Sequence, residues 1–264
     1  MGLIRNMLTY VSQSKSKKPR LVNGIEIPID LDFVGGQLFE ETGKEFLTFF
    51  TKYGGLNPDH DVLDVGCGIG RMAIPLTGYL TQKGSYKGFD IVPDGIEWCQ
   101  QNITVKYPKF EFAVADIYNK LYNPKGTQKS VEYSFPYEDE SFDFIFLTSV
   151  FTHMFADDLE NYLSEIARVL RKDGTCLVTY FLINEDSQQK IDKGKSLQNF
   201  QHSIGECYIV NKDMPESSTG YDENFIRGLY SKYGLTLIEP IRFGGWSGRL
   251  VFTSYQDIVC AKKS

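Results

Sequence analysis

No run of about 18 apolar residues occurs anywhere in the sequence, so the pattern of a membrane-spanning helix is absent. The opening stretch, MGLIRNMLTYVSQSKSKKPR, lacks the apolar centre and small-residue cleavage site of a secretory signal. Asn6 stands where an N-myristoylation pattern requires Ser or Thr. Cysteine is sparse and scattered: Cys67, Cys99, Cys176, Cys207 and Cys260 form no C-x-x-C, are odd in number, and have no His at a zinc-ligand spacing. Buried reduced thiols and no metal centre are the expectation. Positive charge is also in short supply, with 28 Lys and Arg against 34 Asp and Glu and a net charge of −6. Without a basic patch interleaved with aromatics, nucleic acid is not an expected partner. These absences predict a cytoplasmic protein with no membrane partner that acts on a small molecule, and they leave a homodimer open.

What is present is a chain of 264 residues, 42% hydrophobic, enough for one large domain with an insertion. Residues 1 to about 20 read as a solvated basic arm with a lid segment as the alternative. Phe39, Phe46, Leu47, Phe49 and Phe50 recur at helical spacing up to Gly54-Gly55, predicting a helix over 38–53. Strands are then expected at 62–65, 86–91, 110–114, 142–147 and 175–183, alternating with helices at 72–80 (interrupted by Pro75), 94–106 and 158–172. For the last helix, Asp157 and Glu160 read as an N-terminal capping box and Asp173-Gly174 as the stop. Residues 118–140 are too long for an ordinary connection, and 184–220 are polar and poorly periodic; both read as insertions at the site. A helix at 222–233 and strands at 235–243 and 251–261 finish the chain. Alternating strands and helices imply a parallel, doubly wound sheet between two helical layers, with ligands bound outside the carboxyl ends of the strands. The expected organisation is an N-terminal arm over 1–57, a ligand-binding core over 58–183, a cap over 184–220, and a closing helix and hairpin over 221–264.

Between the first strand and the next helix stands Asp64-Val65-Gly66-Cys67-Gly68-Ile69-Gly70-Arg71. Three glycines in five residues allow a sharp backbone turn and a ligand in contact with the main chain. Such a loop serves dinucleotides when spaced G-x-G-x-x-G, or S-adenosylmethionine when an acid precedes G-x-G-x-G. The spacing here is the second, and an acid suits an ammonium and a sulfonium better than a pyrophosphate. Asp90 ends the second strand, where a carboxylate can accept from both ribose hydroxyls, and Asp116 with Ile117 follows the third, where they suit an adenine amino group and ring.

On these residues the sequence resembles the class I S-adenosylmethionine-dependent methyltransferases. V-L-D-V-G-C-G-I-G-R, G-F-D-I at 88–91, V-A-D-I at 114–117, S-F-D-F-I-F at 141–146 and V-L-R-K-D-G-T at 169–175 carry the likeness, over roughly 58–183. The resemblance implies a seven-stranded, three-layer α/β/α Rossmann-like sheet with the last strand antiparallel. It implies an enzyme whose cofactor is S-adenosylmethionine. Asp64, Gly66 and Gly68 would hold the methionine end, Asp90 the ribose, and Asp116 with Ile117 the adenine; Cys67, Gly70, Arg71, Ile91 and Thr148 complete the cofactor set. The long segments 118–140 and 184–220 depart from the minimal family pattern and put the substrate in doubt.

Methyl transfer asks the protein to align donor and acceptor and exclude water, and asks for a base only when the acceptor must lose a proton. Of the three histidines, His60 lies at the wrong end of the sheet, whereas His153 follows the fourth strand at the ligand edge. A neutral imidazole there could take a hydroxyl proton, or else orient the loop. Phe151, His202, Trp246 and Arg249 are the candidate acceptor-lining residues, Arg249 for an anionic group; a lid formed by Phe200, His202 and Tyr208, or simple packing, competes with that. Leu147-Thr148-Ser149-Val150 is not the Asn/Asp-Pro-Pro-aromatic motif of relatives that methylate amide or exocyclic nitrogens. The leading expectation is methylation of a small-molecule hydroxyl oxygen. A small-molecule N- or C-methyltransferase, a cofactor-binding scaffold without catalysis, and a nicotinamide oxidoreductase are the alternatives.

Overall fold

The central sheet is built from β1 (Asp61–Val65), β2 (Ser85–Asp90), β3 (Phe110–Val114), β4 (Phe142–Leu147), β5 (Leu170–Tyr180), β6 (Leu235–Leu237) and β7 (Asp257–Lys263). These strands lie in the order β6-β7-β5-β4-β1-β2-β3. Pairing is parallel from β3 across to β5, and β7 runs antiparallel to both β5 and β6. The computed structural model describes residues 20–27, 38–120 and 122–264. Apart from Arg20, the expected basic arm lies outside the described residues.

Burial on both faces explains the near-continuous apolar runs of β1 and β4. One face packs on α4 (Ala156–Val169) and α6 (Glu223–Lys232), the other on α1 (Phe39–Lys52), α2 (Ala73–Leu76) and α3 (Pro93–Cys99). The result is the expected α/β/α doubly wound fold. Alternation along β1 sends Leu63 and Val65 to the first face and Val62 to the second, and Asp64 shares Val62's side. Because β7 is antiparallel to its neighbours, β6 points the same way as β1 to β5. The connection 238–256 therefore lies at the edge where the parallel strands end.

Several element boundaries differ from the sequence expectation. The helix expected over 72–80 keeps only Ala73–Leu76 around Pro75, and the one expected over 94–106 becomes α3 followed by a π-helical turn at Gln100–Thr104. Helix α4 starts and ends earlier than expected. Its cap is not Asp157: the Asp158 carboxylate accepts from the Phe155 N–H at 3.4 Å. Asp173-Gly174 do not stop a helix either. They lie in a bulge of β5, where the pairing jumps from Phe142–Leu170 to Phe144–Thr175 and Asp173 takes φ +65°. The strand expected over 235–243 ends at Leu237, short of Pro240, which has no N–H to give a ladder, and the one expected over 251–261 starts at Asp257. An unanticipated hairpin, Arg20–Val22 with Ile25–Ile27, turns on Asn23-Gly24, both at positive φ.

The segment 184–220 is regular after all. Strands Leu182–Ile183, Thr219–Asp222, Cys207–Ile209 and His202–Ile204 form a second sheet in that order, accompanied by α5 (Glu185–Asp192). Phe181, Ile183, Ile191, Phe200 and Trp246 give it a small core of its own. Short strands interrupted by polar turns carry too few periods to stand out in sequence.

Candidate active site

Immediately past β1 the backbone turns through Gly66, Gly68 and Gly70 at φ +80°, +54° and +74°. The N–H groups of Gly66 and Cys67 donate to the Phe89 carbonyl at 2.9 and 3.1 Å, tying the turn to the end of β2. A Cβ at Gly66 would meet Val150 Cγ2 at 2.4 Å, whereas one at Gly68 would meet nothing within 4 Å. Gly66 is thus demanded by packing as well as conformation, while Gly68 leaves space above the turn. Asp90 fixes that turn: its carboxylate accepts from Gly68 N–H at 2.8 Å and from Val92 N–H at 3.0 Å. Burial still pushes its pKa up, against these backbone donors.

Asp64 is buried at 1% exposure. Tyr86 donates its hydroxyl to Asp64 Oδ2 at 2.6 Å, and Asp64 Oδ1 has no hydrogen-bond partner among the described residues. Burial raises its pKa to about 8; the Tyr86 hydrogen bond opposes this and the Asp90 charge adds to it. Cys67 is buried against Gly88, and Arg71 sits 5.9 Å from the Phe39 ring. Asp116 is exposed and accepts from the Thr127 N–H and hydroxyl at 3.1 and 2.5 Å, folding the 118–140 loop back on the end of β3. Ile117 is buried beside it; Ile91 and Thr148 are half-buried just past β2 and β4.

His153 ends a 3-10 turn, Phe151–His153, that follows β4. Ser149 enters this loop at φ +61°, its N–H donating to Thr179 Oγ1 at 2.8 Å, and its hydroxyl reaches Gln256 at 3.1 Å. The buried Tyr221 hydroxyl reaches the carbonyls of Phe151 and Met154 at 2.8 and 2.6 Å, clamping the turn. His153 Nδ1 lies 2.9 Å from the Glu216 carbonyl, which can only accept, so Nδ1 carries the proton and Nε2 is left with its lone pair. Burial pushes the His153 pKa down, opposed by that carbonyl, and keeps the ring neutral. The Tyr122 ring meets the imidazole edge-on at 6.1 Å between centroids, and burial and the Asp90 charge together raise the tyrosine's pKa. Tyr122, Glu216 and Tyr221 went unnoticed in the sequence; for Tyr122 its place in the overlong 118–140 loop was the available signal.

Two candidate acceptor residues require correction. Phe151 is fully buried among Tyr162 and Tyr180. Trp246 is fully buried in the core of the second sheet, donating its indole N–H to Asp257 at 2.8 Å. Neither offers surface to an acceptor. Arg249 is engaged by Asp186 at 2.9 Å, by Ser247 at 2.8 Å and by the Phe243 ring at 4.7 Å, so its charge is already met. His202 lines a groove of about 420 Å³ on the second sheet together with Phe200 and Tyr208. Among the described residues no cluster of His, Cys, Asp or Glu could hold a metal ion, and all five cysteines are free and buried.

Residues 63–178 match a family model described as a methyltransferase domain. Over that span, a little under half of its length, the chain is similar to a methyltransferase domain. Over 184 residues it is 24% identical to sterol 24-C-methyltransferase of Schizosaccharomyces pombe, covering 68% of this chain and 43% of that protein. The chain spans about half the length of the curated relatives it matches. A Pyrococcus horikoshii protein of known structure superposes with a TM-score of 0.59 at 17% identity, covering 90% of this chain and 97% of that one. A 1,6-didemethyltoxoflavin-N1-methyltransferase from Burkholderia thailandensis, solved with 1,6-didemethyltoxoflavin and S-adenosylhomocysteine, superposes at 0.51 with 16% identity, covering 86% and 78%. At such identities the structural likeness is one of fold. The residues of the site fit S-adenosylmethionine, the cofactor that the sequence resemblance implies. The orphaned Asp64 oxygen lacks a donor that an ammonium would provide, and the space above Gly68 admits a ligand against the main chain.

Proposed function

We propose that the protein transfers the methyl group of S-adenosylmethionine to a hydroxyl oxygen of a small molecule, with His153 as the base. The observation that carries this reading is the pinned, neutral imidazole of His153, whose Nε2 is free of a proton. The bound cofactor supplies an already activated methyl group, so the chain's task is alignment, exclusion of water and proton removal. Asp64, Gly66 and Gly68 hold the methionine end, Asp90 the ribose, and Asp116 with Ile117 the adenine, while Cys67, Gly70, Arg71, Ile91 and Thr148 wall the cleft. Residues 184–220 cap the acceptor, with His202 lining the groove it meets. A small acceptor is supported by the names of similar proteins, which specify a sterol and 1,6-didemethyltoxoflavin.

Those names also specify a carbon and a nitrogen as methylated atoms, which favours N- or C-methylation as the second reading. Screening hydroxylated and aminated metabolites with methyl-labelled cofactor separates the two. With a hydroxyl acceptor, His153→Ala is expected to lower kcat about 100-fold or more while S-adenosylhomocysteine binding is retained. The acid limb of kcat/KM should fall below the ordinary histidine pKa of about 6.5, because the base must be neutral and burial depresses its pKa. Unchanged turnover in His153→Ala removes the base assignment. Binding of S-adenosylhomocysteine without turnover on any acceptor class points to a scaffold instead.

A further inference from the structure

The connection 238–256, at the ligand edge of the sheet, ends in an apolar tip. Leu250, Val251 and Phe252 are 97%, 90% and 47% exposed. Three consecutive apolar side chains in water at a loop apex are unlike the scattered exposed hydrophobics of an ordinary surface. The base beneath them is firm. Gly245 and Trp246 N–H donate to Ser254 and Tyr255 carbonyls at 2.9 and 3.0 Å, the Trp246 indole is held by Asp257, and Arg249 by Asp186.

Beside the tip runs the segment after α5. Leu197, also exposed, donates its N–H to the Trp246 carbonyl at 2.8 Å, and the Lys195 carbonyl lies so close to Gly248 that a Cβ there would meet it at 2.4 Å. Lys193 and Lys195 are exposed, and neither takes part in an ion pair among the described residues. Of the acids nearby, Asp186 is shared by Arg249 and Lys190, and Asp192 accepts from Gln188. In a chain of net charge −6, unpaired lysines at the rim of an apolar tip match anionic headgroups over acyl chains.

We propose that this tip docks the protein on the surface of an anionic lipid bilayer. Leu250, Val251, Phe252 and Leu197 enter the interface and Lys193 and Lys195 face the headgroups, which sets the ligand edge at the bilayer. Resting on the methyltransferase reading, the acceptor is then a lipophilic molecule drawn from that bilayer. The expectation of no membrane partner rested on the lack of a spanning helix, and among the described residues no helix is long and apolar enough to cross a membrane. A surface-docking tip requires none.

The test is co-sedimentation of the full chain with phosphatidylcholine vesicles, with and without phosphatidylglycerol, at low and high salt, alongside calorimetry with S-adenosylhomocysteine. The wild type should bind the phosphatidylglycerol vesicles and weaken with salt. A Leu250→Asp, Val251→Asp double variant should lose at least about tenfold in vesicle affinity, and Lys193→Glu, Lys195→Glu should lose the phosphatidylglycerol preference; these residues are exposed, so melting and nucleoside binding should stay unchanged. A wild type that ignores vesicles, or a double variant that binds them as well, overturns the proposal. So does concentration-dependent self-association abolished by the same double variant without vesicle binding, which makes the tip an interface between copies. Loss of S-adenosylhomocysteine binding by the wild type would count against the methyltransferase reading and leave vesicle docking to be judged by sedimentation alone.

Discussion

Asp64 is the residue on which the cofactor site turns, because it is an acid buried beside a single hydroxyl donor. Its folded pKa of about 8 stands above the unfolded value near 4, so the stability that its protonated form contributes is complete below about pH 4 and is lost as pH rises through about 8. Asn at this position keeps an acceptor for Tyr86 and removes the titration. The stability of Asp64→Asn relative to wild type should therefore increase from pH 5 to pH 8 in urea titrations. A cationic ligand favours the ionised carboxyl, so the same variant should bind S-adenosylmethionine roughly 10- to 100-fold more weakly, as expected for one charge-assisted hydrogen bond of about 1.5–3 kcal/mol. Equal affinity in calorimetry would remove Asp64 from the site. The sequence already marked this position, since an acid inside an apolar run ahead of glycines has no packing reason. The Tyr86 partnership was invisible, because Tyr86 sits in the neighbouring strand 22 positions later and only the register brings the two together.

At the level of elements, the edge connection and the second sheet are tied to the core through Asp257. This fully buried carboxylate accepts from Gly244, Leu182 and the Trp246 indole at 2.5, 2.6 and 2.8 Å. Removing it strands three buried donors, so Asp257→Ala should cost about 3 kcal/mol or more, read from its urea midpoint at unchanged slope. A loss within about 0.5 kcal/mol would mean that the connection is held by other contacts. The parallel core was legible because its strands are short and rich in apolar residues, the first three closed by a glycine or an acid, and β1, β3 and β4 begin within one residue of their expected starts. The interruption at Pro75 was legible because a proline acts locally, but the Asp173-Gly174 bulge and the clamp of Tyr221 on the His153 loop were not, since each depends on partners far along the chain. The second sheet was missed for a related reason: two- to four-residue strands draw their stability from Phe181, Phe200 and Trp246, which meet only in the fold. Trp246 was conspicuous in sequence as a candidate for the acceptor and is a core residue instead.

For the molecule as a whole, a ligand that binds only the folded chain must stabilise it by mass action. At a concentration 100-fold above Kd, S-adenosylhomocysteine should add about 2.7 kcal/mol. For a chain of this size that is a rise in Tm of about 5–10 °C, with none for NAD. A shift with NAD and none with the nucleoside would revive the oxidoreductase reading that the glycine spacing and Asp64 disfavoured. The same whole-molecule view relates the site to its surroundings: the glycine turn, the His153 loop and the apolar tip all lie where the parallel strands end. The central claim is that this edge cradles a positively charged sulfur nucleoside. A crystal structure with S-adenosylhomocysteine tests it most directly. The account predicts the amino-acid end at Asp64 and the Gly66–Gly70 turn and the ribose at Asp90; a nucleoside found elsewhere, or a turn left empty at saturating concentration, would contradict it.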